Sequence, residues 1–310
     1  MKILITGISG FLGSSLIKKL SNHDLIGVDE QEPTKDFPSN VIFYKKSILD
    51  PSLNEIFNTH TINVCIHLAW TVTPVHKNKL QKAFEIDYNG TKTILDYCKT
   101  NNVKHFIFMS STLAYGALKD NAKSLTENNP LKAKKNFHYA YHKKLVETEL
   151  IQPFIKENPN MLVTVLRPAG FLSPDINNYV SKILRAKILP VMIGGRHTRI
   201  QFLHMQDLLD VIVEIINKQI QGTFNVTPND YIIMKNLPAY LPGFKIYVPE
   251  ILARFGIKIA WFFHLYSAPS SYLDFVRYEF IASNEKLKKE LVWKPKFSTI
   301  EAISSIIAKK

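Results

Sequence analysis

Apolar residues in the first half of the chain occur in short runs that alternate with stretches of helical periodicity. The runs are rich in β-branched residues and predict buried strands, for example "KILIT", "DLIGVDE", "NVIFYKKS", "NVCIHLAW", "VKHFIFMSST" and "LVTVLRPA". Between them, "FLGSSLIKKL", "PSLNEIFNT", "LQKAFEIDYNGTKTILDYCKTN" and "YAYHKKLVETELIQPFIKE" predict helices. This alternation predicts an α/β fold with a doubly wound parallel sheet and helices on both faces.

The second half of the chain has a less regular pattern. "QFLHMQDLLDVIVEII" and "GTFNVTP" predict segments that return to the sheet. The segment "PEILARFGIKIAWFFHLYSAPSSYL", within 249–273, is unusually aromatic. Its pattern alone is compatible with a lid, the lining of a site for a hydrophobic substrate, a partner surface, a membrane-interface helix or ordinary core packing.

Composition changes this picture in a few respects. The chain has 310 residues and a formal net charge of +13, which favours anionic partners, but its lysines are scattered and no nucleic-acid-binding module is visible. Cys65 and Cys98 lie in apolar runs and are expected to be buried thiols in a reduced compartment. The N-terminus lacks a signal-peptide pattern, and the longest apolar run is far shorter than the roughly 20 residues of a membrane span. We therefore expect a cytoplasmic protein without a transmembrane segment. No set of histidines has the spacing of a metal site.

Three glycines separate the first strand from the first helix. Gly7, Gly10 and Gly13 would allow a tight turn, close approach of a ligand and close packing of helix on strand, with backbone N–H groups directed at a pyrophosphate. Asp29 ends the second strand, where a carboxylate accepts hydrogen bonds from ribose hydroxyls and repels a 2′-phosphate. This favours NAD over NADP, although Lys35 nearby would soften the preference.

A second group of residues indicates acid–base chemistry. Ser111 follows a strand, and Tyr139 and Lys143 are four residues apart, on one face of a predicted helix. The pKa of an unperturbed tyrosine is about 10, and a neighbouring ammonium lowers it by favouring the phenolate. Ser111 would hydrogen-bond the same substrate oxygen as Tyr139. We therefore predict Ser111, Tyr139 and Lys143 as catalytic residues.

Taken together, these motifs resemble the extended short-chain dehydrogenases/reductases of the NAD-dependent epimerase/dehydratase family. "TGISGFLG" is similar to the glycine fingerprint of that family, "IHLAW" to its "hxAA", "SSTLAYG" to "SSxxVYG" and "YAYHKKLVE" to "YxxSKxxxE". "LRPAGFLSP" is similar to "LRxxNVYGP" and "FLHMQDL" to "FIHVDDV". The resemblance covers nearly the whole chain and is strongest to a branch grouped with UDP-glucose 4-epimerases.

The resemblance implies a Rossmann-type NAD-binding domain over residues 1–172, completed by segments near 198–228, and a mainly substrate-binding, mixed α/β lobe over 173–310. The positions that it assigns to NAD are Gly7, Ser9, Gly10, Phe11, Leu12, Gly13, Asp29, Ser47, Ile48, Leu68, Ala69, Trp70, Asp87, Met109, Ser110, Tyr139, Lys143 and Pro168. Those that it assigns to the substrate are Trp70, Thr112, Gly170, Arg199 and Arg277, the two arginines being candidates for a diphosphate. No metal is implied.

Several positions depart from the family pattern. Ser47 stands where the family has an aspartate that bonds adenine, while Ile48 keeps the apolar wall. Asp87 replaces the asparagine of "NVxGT". Gly170 replaces an asparagine that contacts the sugar nucleotide, and Ser173 replaces a glycine.

The resemblance implies an NAD-dependent sugar-nucleotide epimerase that is similar to UDP-hexose 4-epimerases and acts through a keto intermediate. A 4,6-dehydratase is disfavoured, because Thr112 and Leu113 stand where its acidic pair would follow the serine. A dehydrogenase or reductase of a hydrophobic alcohol or ketone, and a non-catalytic NAD-binding sensor, remain alternatives. Two predicted helices, around 80–98 and 139–155, resemble the pair through which the family forms homodimers.

Overall fold

The structure is a computed structural model that describes residues 1–192, 197–265 and 268–308. It divides into two compact units, each described by itself. Unit 1 consists of Met1–Ser110, His142–Arg167 and Leu209–Phe224, and unit 2 of Ser111–Tyr141, Pro168–Leu208 and Asn225–Lys310. The assignment of 173–310 to substrate binding stays a prediction.

The strands and helices follow in chain order. The strands are β1 (Lys2–Thr6), β2 (Asp24–Asp29), β3 (Val41–Lys45), β4 (Val64–His67), β5 (His105–Met109), β6 (Leu162–Pro168), β7 (Gly170–Leu172), β8 (Ile188–Met192), β9 (Arg199–Ile200), β10 (Phe202–His204), β11 (Gly222–Val226), β12 (Ile232–Ile233) and β13 (Phe244–Val248). The helices are α1 (Phe11–Lys19), α2 (Leu53–Thr59), α3 (Leu80–Phe84), α4 (Thr91–Thr100), α5 (His138–Leu145), α6 (Gln152–Glu157), α7 (Tyr179–Leu184), α8 (Met205–Lys218), α9 (Glu250–Phe262), α10 (Asp274–Arg277), α11 (Glu285–Leu291) and α12 (Thr299–Ile307).

The strands of unit 1 form a seven-stranded sheet in the order β3-β2-β1-β4-β5-β6-β11. Each neighbouring pair from β3 to β6 is parallel. This is the Rossmann order. The sheet extends to one side from β1 through β2 to β3 and to the other side from β4 through β5 to β6, which leaves a crevice beyond the carboxyl ends of β1 and β4. The predicted fold class is therefore confirmed, and β11 from "GTFNVTP" joins the sheet as expected. The prediction is wrong for the strand of "QFLHMQDLLDVIVEII", because β10 pairs with β7 outside this sheet.

The sheet is stabilised by apolar side chains from its strands and from the helices of unit 1. Leu4, Phe106 and Phe108 are fully buried and pack in one cluster with Ile94 of α4 and Val146. Since three of these side chains come from central strands, the core lies directly beneath the carboxyl ends that carry the candidate site.

Two long helices of the sequence prediction are interrupted. A π-helical turn over Glu85–Gly90 separates α3 from α4, and another over Val146–Ile151 separates α5 from α6. Within the first turn, Asp87 is fully buried. The second turn ends just before Pro153, which has no N–H to donate. Turns of this kind often occur at functional sites.

In unit 2 the strands form three small pairs, β7 with β10, β8 with β13 and β9 with β12. Tyr115 is fully buried and its hydroxyl donates to Asn225 Oδ1 at 2.8 Å. A capping box at Ser298 and Glu301 starts α12.

The aromatic segment forms helix α9, in which no residue is buried. Core packing is therefore the wrong interpretation for this helix. Residues 266–267 of the segment lie outside the described residues. Within the described ranges, no helix has the length and hydropathy needed to cross a bilayer.

Candidate active site

The glycine turn begins where β1 ends. Gly7 has φ +75°, a conformation that side chains with a Cβ rarely adopt, and its N–H donates to Val28 O of β2 at 2.8 Å. A Cβ on Gly13 would lie 2.4 Å from Gly7 O and 2.7 Å from the Cα of Ile8. Both positions therefore require glycine, and together they bring the start of α1 against the end of the first strand.

The carboxylate of Asp29 lies beside this turn. One oxygen accepts the N–H of Ser9 at 3.0 Å, and the other accepts the N–H of Gln31 at 3.0 Å. Each carboxylate oxygen has further lone-pair capacity for another donor. The Ser9 hydroxyl is buried and has no hydrogen-bond partner among the described residues. A buried hydroxyl without a protein partner is rare and points to a ligand at this turn.

A buried histidine joins three elements behind the strand ends. The Thr91 hydroxyl donates its proton to Asp87 O at 2.6 Å, so His67 Nε2 must donate to Thr91 Oγ1, at 2.9 Å. His67 Nδ1 then accepts from the Thr6 hydroxyl at 2.7 Å, which requires a neutral imidazole. Burial, and after it the charge of Lys143, lowers the pKa of His67 to about 3. The neutral imidazole of His67 therefore links β4 to β1 and α4 through hydrogen bonds.

Lys143 is deeply buried in unit 1. Its ammonium donates to Met109 O at 2.5 Å and lies 3.3 Å from the centroid of the Trp70 ring. Burial lowers the pKa of Lys143 well below its usual range, while the carboxylates of Asp87 and Glu147 act in the opposite direction. The aromatic face and the two carboxylates are thus what favours the charged form of this lysine.

Glu147 and Arg167 form a buried ion pair next to this lysine. Arg167 Nη2 lies 2.6 Å and Nε 2.9 Å from Glu147 Oε2, and both side chains are at most 3% exposed. The Ser110 hydroxyl donates to the other carboxylate oxygen. This pair ties the end of β5 to β6 and to the helix that carries Lys143.

Asp87 and His142 form a second buried pair. His142 Nδ1 is 2.8 Å from Asp87 Oδ2, while Asp87 Oδ1 accepts the N–H of Thr71 at 2.7 Å. The ring of Phe84 contacts His142 edge-on. One oxygen of Asp87 therefore holds the loop after β4, next to Trp70, and the other contacts α5.

The other two candidate catalytic residues belong to unit 2. Ser111 is buried, and its hydroxyl accepts the N–H of Leu113 at 3.2 Å, which caps a 3₁₀ turn over Thr112–Tyr115. Tyr139 is half-buried and its ring stacks with Phe137 at a centroid distance of 6.0 Å. Helix α5 carries both Tyr139 and Lys143, one turn apart, as the sequence predicts.

The candidate diphosphate ligands of unit 2 are paired with carboxylates. Arg199 Nη2 lies 2.7 Å from Glu279 Oε2, and Arg277 Nη1 lies 2.5 Å from Glu250 Oε1. Gly170 is exposed, and a Cβ at this position would be in ordinary van der Waals contact with the Phe202 ring. The assignment of these residues to a substrate stays a prediction.

Most of the remaining predicted cofactor residues, and the predicted substrate residue Thr112, are buried or half-buried. Ile48 and Pro168 are buried, Ser47 is half-buried and its hydroxyl accepts the N–H of Leu49, and Thr112 is buried in unit 2. Phe11, Leu12, Leu68 and Ala69 are half-buried. Leu68 and Ala69 donate their N–H groups to the Thr6 hydroxyl.

The family assignment follows from a direct comparison with known families. The family model described as the NAD dependent epimerase/dehydratase family matches residues 3–227, which include the glycine turn, the strand-end serine and the Tyr–Lys pair. The chain belongs to the NAD-dependent epimerase/dehydratase family. It is therefore an enzyme of a family whose cofactor is NAD.

Several known proteins are similar to the chain over most of its length. An uncharacterised protein of Mycobacterium bovis is 23% identical, covering 97% of this chain and 81% of the relative. The UDP-glucose 4-epimerase of Thermotoga maritima, solved with UDP-glucose, has a TM-score of 0.78 at 22% identity. The match covers 100% of this chain and 98% of the epimerase chain. The dTDP-glucose 4,6-dehydratase of Bacillus anthracis, solved with NAD, has a TM-score of 0.76 at 18% identity. The match covers 100% of this chain and 96% of the dehydratase chain. At these identities the structural likeness establishes the shared fold.

The residues of unit 1 fit the cofactor of the family. The turn at Gly7–Gly13 leaves no room for a Cβ at Gly13, and Asp29 retains lone pairs for ribose hydroxyls. The buried Ser9 hydroxyl has no hydrogen-bond partner in the part of the chain that the structure describes. A pyrophosphate would be held by backbone N–H groups at the start of α1, and Asp29 would disfavour a 2′-phosphate.

Sequence reasoning missed two groups of residues. Glu147 lies inside the motif "YAYHKKLVE" and Arg167 inside "LRPAGFLSP". The fixed spacing of Glu147 from Lys143 within one motif was the signal that could have identified it. The Thr6–His67–Thr91 connection carried no signal, because its members are far apart in the chain and belong to three elements.

Proposed function

We propose that this family member is an NAD-dependent sugar-nucleotide epimerase similar to UDP-hexose 4-epimerases. One observation carries the proposal: the chain keeps Ser111, Tyr139 and Lys143 beyond a dinucleotide turn, while the two residues after Ser111 are Thr112 and Leu113. A dehydration would need an acid–base pair there, and neither residue can exchange a proton at neutral pH.

The catalytic roles follow from the chemistry of the side chains. Tyr139 removes the proton from a sugar hydroxyl and later returns it, while Ser111 hydrogen-bonds the same oxygen. Lys143 supplies positive charge one helical turn from Tyr139, which favours the phenolate. When bound, NAD would supply a reversible hydride acceptor for the sugar carbon, so the reaction would consume no oxidant.

The charge of Lys143 depends on its neighbours in unit 1. Because burial lowers its pKa, the carboxylates of Asp87 and Glu147 and the face of Trp70 are needed to keep an ammonium in this position. The same ammonium is a hydrogen-bond donor for the nicotinamide ribose. Trp70 therefore acts as a positioning residue for Lys143 in this proposal.

Arg199 and Arg277 are the proposed ligands of the substrate diphosphate. Their guanidinium groups match phosphate geometry, and each has a carboxylate partner in the structure. A diphosphate would have to compete with Glu279 and Glu250 for them. Replacement of each arginine by Met is expected to raise KM for a nucleotide sugar with little change in kcat.

A homodimer completes the proposal. The helical segments 80–100 and 142–157 pack on each other through Tyr88, whose hydroxyl donates to Glu149 at 3.3 Å, and through Phe84 and His142. Two copies would bring these segments together as four helices around a two-fold axis. Light scattering of the purified protein is expected to give twice the mass of 35.5 kDa.

The proposed activity is tested with a panel of substrates. The purified enzyme is incubated with UDP-, GDP- and dTDP-hexoses and separately with hydrophobic alcohols plus NAD, while sugar identity and NADH absorbance are followed. Exchange between 4-epimers of a UDP-hexose without net NADH is the expected result. Stoichiometric NADH with an alcohol would replace the proposal by a dehydrogenase, and bound NAD with no turnover would replace it by a sensor.

A further inference from the structure

Helix α9 directs its large apolar side chains into solvent. Its exposed fractions are 82% for Ile251, 60% for Leu252, 64% for Phe255, 43% for Ile259 and 74% for Phe262. At 100° per residue these five positions fall on one face of the helix. Phe263 and Leu265, directly after the helix, are 62% and 80% exposed.

The opposite face of α9 carries the ion pairs of the helix. Arg254 Nε lies 2.7 Å from Glu250 Oε1, and Arg254 Nη2 lies 2.7 Å from Asp274 Oδ1. Arg277 also reaches Glu250. These contacts fix the rotation of α9 about its axis. A helix on the surface of a water-soluble domain normally has the reverse arrangement, with its apolar side facing the core.

The apolar surface continues into the preceding strand. In β13, Phe244 is 72% and Ile246 is 43% exposed, and both lie on the same side of the strand. Ile188 of β8, which pairs with Phe244, is 59% exposed. Pro249 joins β13 directly to α9. The exposed residues from 244 to 265 therefore exceed the scattered apolar residues of an ordinary surface.

The charged residues of this part of the chain are mostly basic. The charged residues of 231–265 are Lys235, Lys245, Glu250, Arg254 and Lys258. Glu250 is held by two arginines, whereas Lys235 and Lys258 are exposed. Lys258 lies on α9 at the edge of the apolar face and is exposed. An apolar face with a basic border is complementary to the acyl and headgroup layers of an anionic bilayer.

We propose that α9, with β13, binds the surface of an anionic lipid bilayer. A 13-residue helix is about 20 Å long, so α9 would lie in the plane of the interface with Phe255 and Phe262 inserted among the acyl chains. A second copy of the chain is a less suitable occupant, because it carries the same excess of positive charge and is therefore less complementary to this region than an anionic surface.

Vesicle sedimentation of the full chain tests the proposal. Vesicles of phosphatidylcholine with a quarter phosphatidylglycerol are compared with pure phosphatidylcholine at low ionic strength. The wild type is expected to partition at least tenfold more strongly onto the anionic vesicles, and Lys258→Glu to reduce that preference several-fold. The triple variant Phe255→Ser/Ile259→Ser/Phe262→Ser is expected to bind at least tenfold less to them than the wild type.

A matched control removes exposed apolar side chains elsewhere. Ile42 and Val292 are 50% and 86% exposed, and Ile42→Ser/Val292→Asn is expected to bind vesicles as the wild type does. Circular dichroism checks that each variant is folded. A wild type that stays in the supernatant, or a folded triple variant that sediments unchanged, would overturn the proposal. A triple variant that alone dissociates a larger wild-type assembly in light scattering would overturn it in favour of a second copy.

Discussion

The two units of the molecule contain regions with opposite distributions of polarity. In unit 1, His67, Glu147 and Arg167 are buried, and their polar atoms take part in hydrogen bonds or an ion pair around the candidate site. In unit 2, helix α9 exposes Phe255 and Phe262 to solvent. Buried polar groups are costly unless they are satisfied, and exposed apolar groups gain nothing from folding. The first region is therefore expected to determine stability and cofactor binding, and the second to contribute little to either.

Removal of the buried carboxylate should have the largest effect on the free energy of unfolding. Glu147→Gln leaves the Arg167 guanidinium buried without its counter-charge, which costs about 3–5 kcal/mol. Urea unfolding measures the change. Glu32→Gln is the control, because Glu32 pairs with Lys45 while both are more than half exposed, and is expected to cost less than about 1 kcal/mol. Equal losses in the two variants would remove the contrast between the buried and exposed polar groups.

The pH dependence of stability should report the neutral His67. Its folded pKa of about 3 lies below the ordinary value of 6.5, so the unfolded chain binds more protons at intermediate pH. This stabilisation is complete above pH 6.5 and is lost as the pH falls, at about 1.4 kcal/mol per pH unit between pH 6 and pH 4. His105, with a pKa of about 4, acts in the same direction. In urea unfolding, His67→Gln should therefore show a shallower decline than the wild type over this interval. An unchanged slope would mean that His67 is not held neutral.

Substitution of a glycine should affect the two regions differently. A Cβ at Gly13 meets backbone atoms at 2.4 and 2.7 Å, so Gly13→Ala is expected to weaken NAD binding at least 100-fold, or about 2.7 kcal/mol. A Cβ at Gly256 of α9 meets nothing within 4 Å. Gly256→Ala should leave NAD affinity unchanged and raise helix stability by about 1 kcal/mol. Calorimetric titration and thermal unfolding measure both, and tight NAD binding by Gly13→Ala would refute the proposed turn.

The smallest effect is expected on the exposed face of α9. Phe262 is 74% exposed, so Phe262→Ser should change the free energy of unfolding in solution by no more than about 0.5 kcal/mol. Phe106 is fully buried in the sheet, and its replacement by Ala should lower the free energy of unfolding by about 3–5 kcal/mol. A large loss for Phe262→Ser would show that α9 is covered in solution.

The sequence predicted what depends on local patterns. The order of strands and helices, the turn at Gly7–Gly13 and the pairing of Tyr139 with Lys143 on one helix all follow from spacing within short segments. The roles assigned to the individual site residues remain predictions.

Other features depend on partners that the sequence does not reveal. The Glu147–Arg167 pair joins a helix to a strand, and Asp87 reaches His142 from another helix across 55 positions of the chain. For α9, the sequence showed an aromatic segment without deciding its role. The exposed fractions of its side chains and the ion pairs of Glu250 and Arg254 show that its apolar face is turned outward.

The fate of the hydrogen at C4 of the sugar tests the central claim most directly. UDP-glucose that carries deuterium at C4 is incubated with the holoenzyme, and both epimers are analysed by mass spectrometry and NMR. The account predicts that deuterium stays at C4 in both epimers, that no NADH accumulates, and that Tyr139→Phe reduces the rate by about 10³ while it still binds NAD. Loss of the label to solvent, or full activity of Tyr139→Phe, would contradict it.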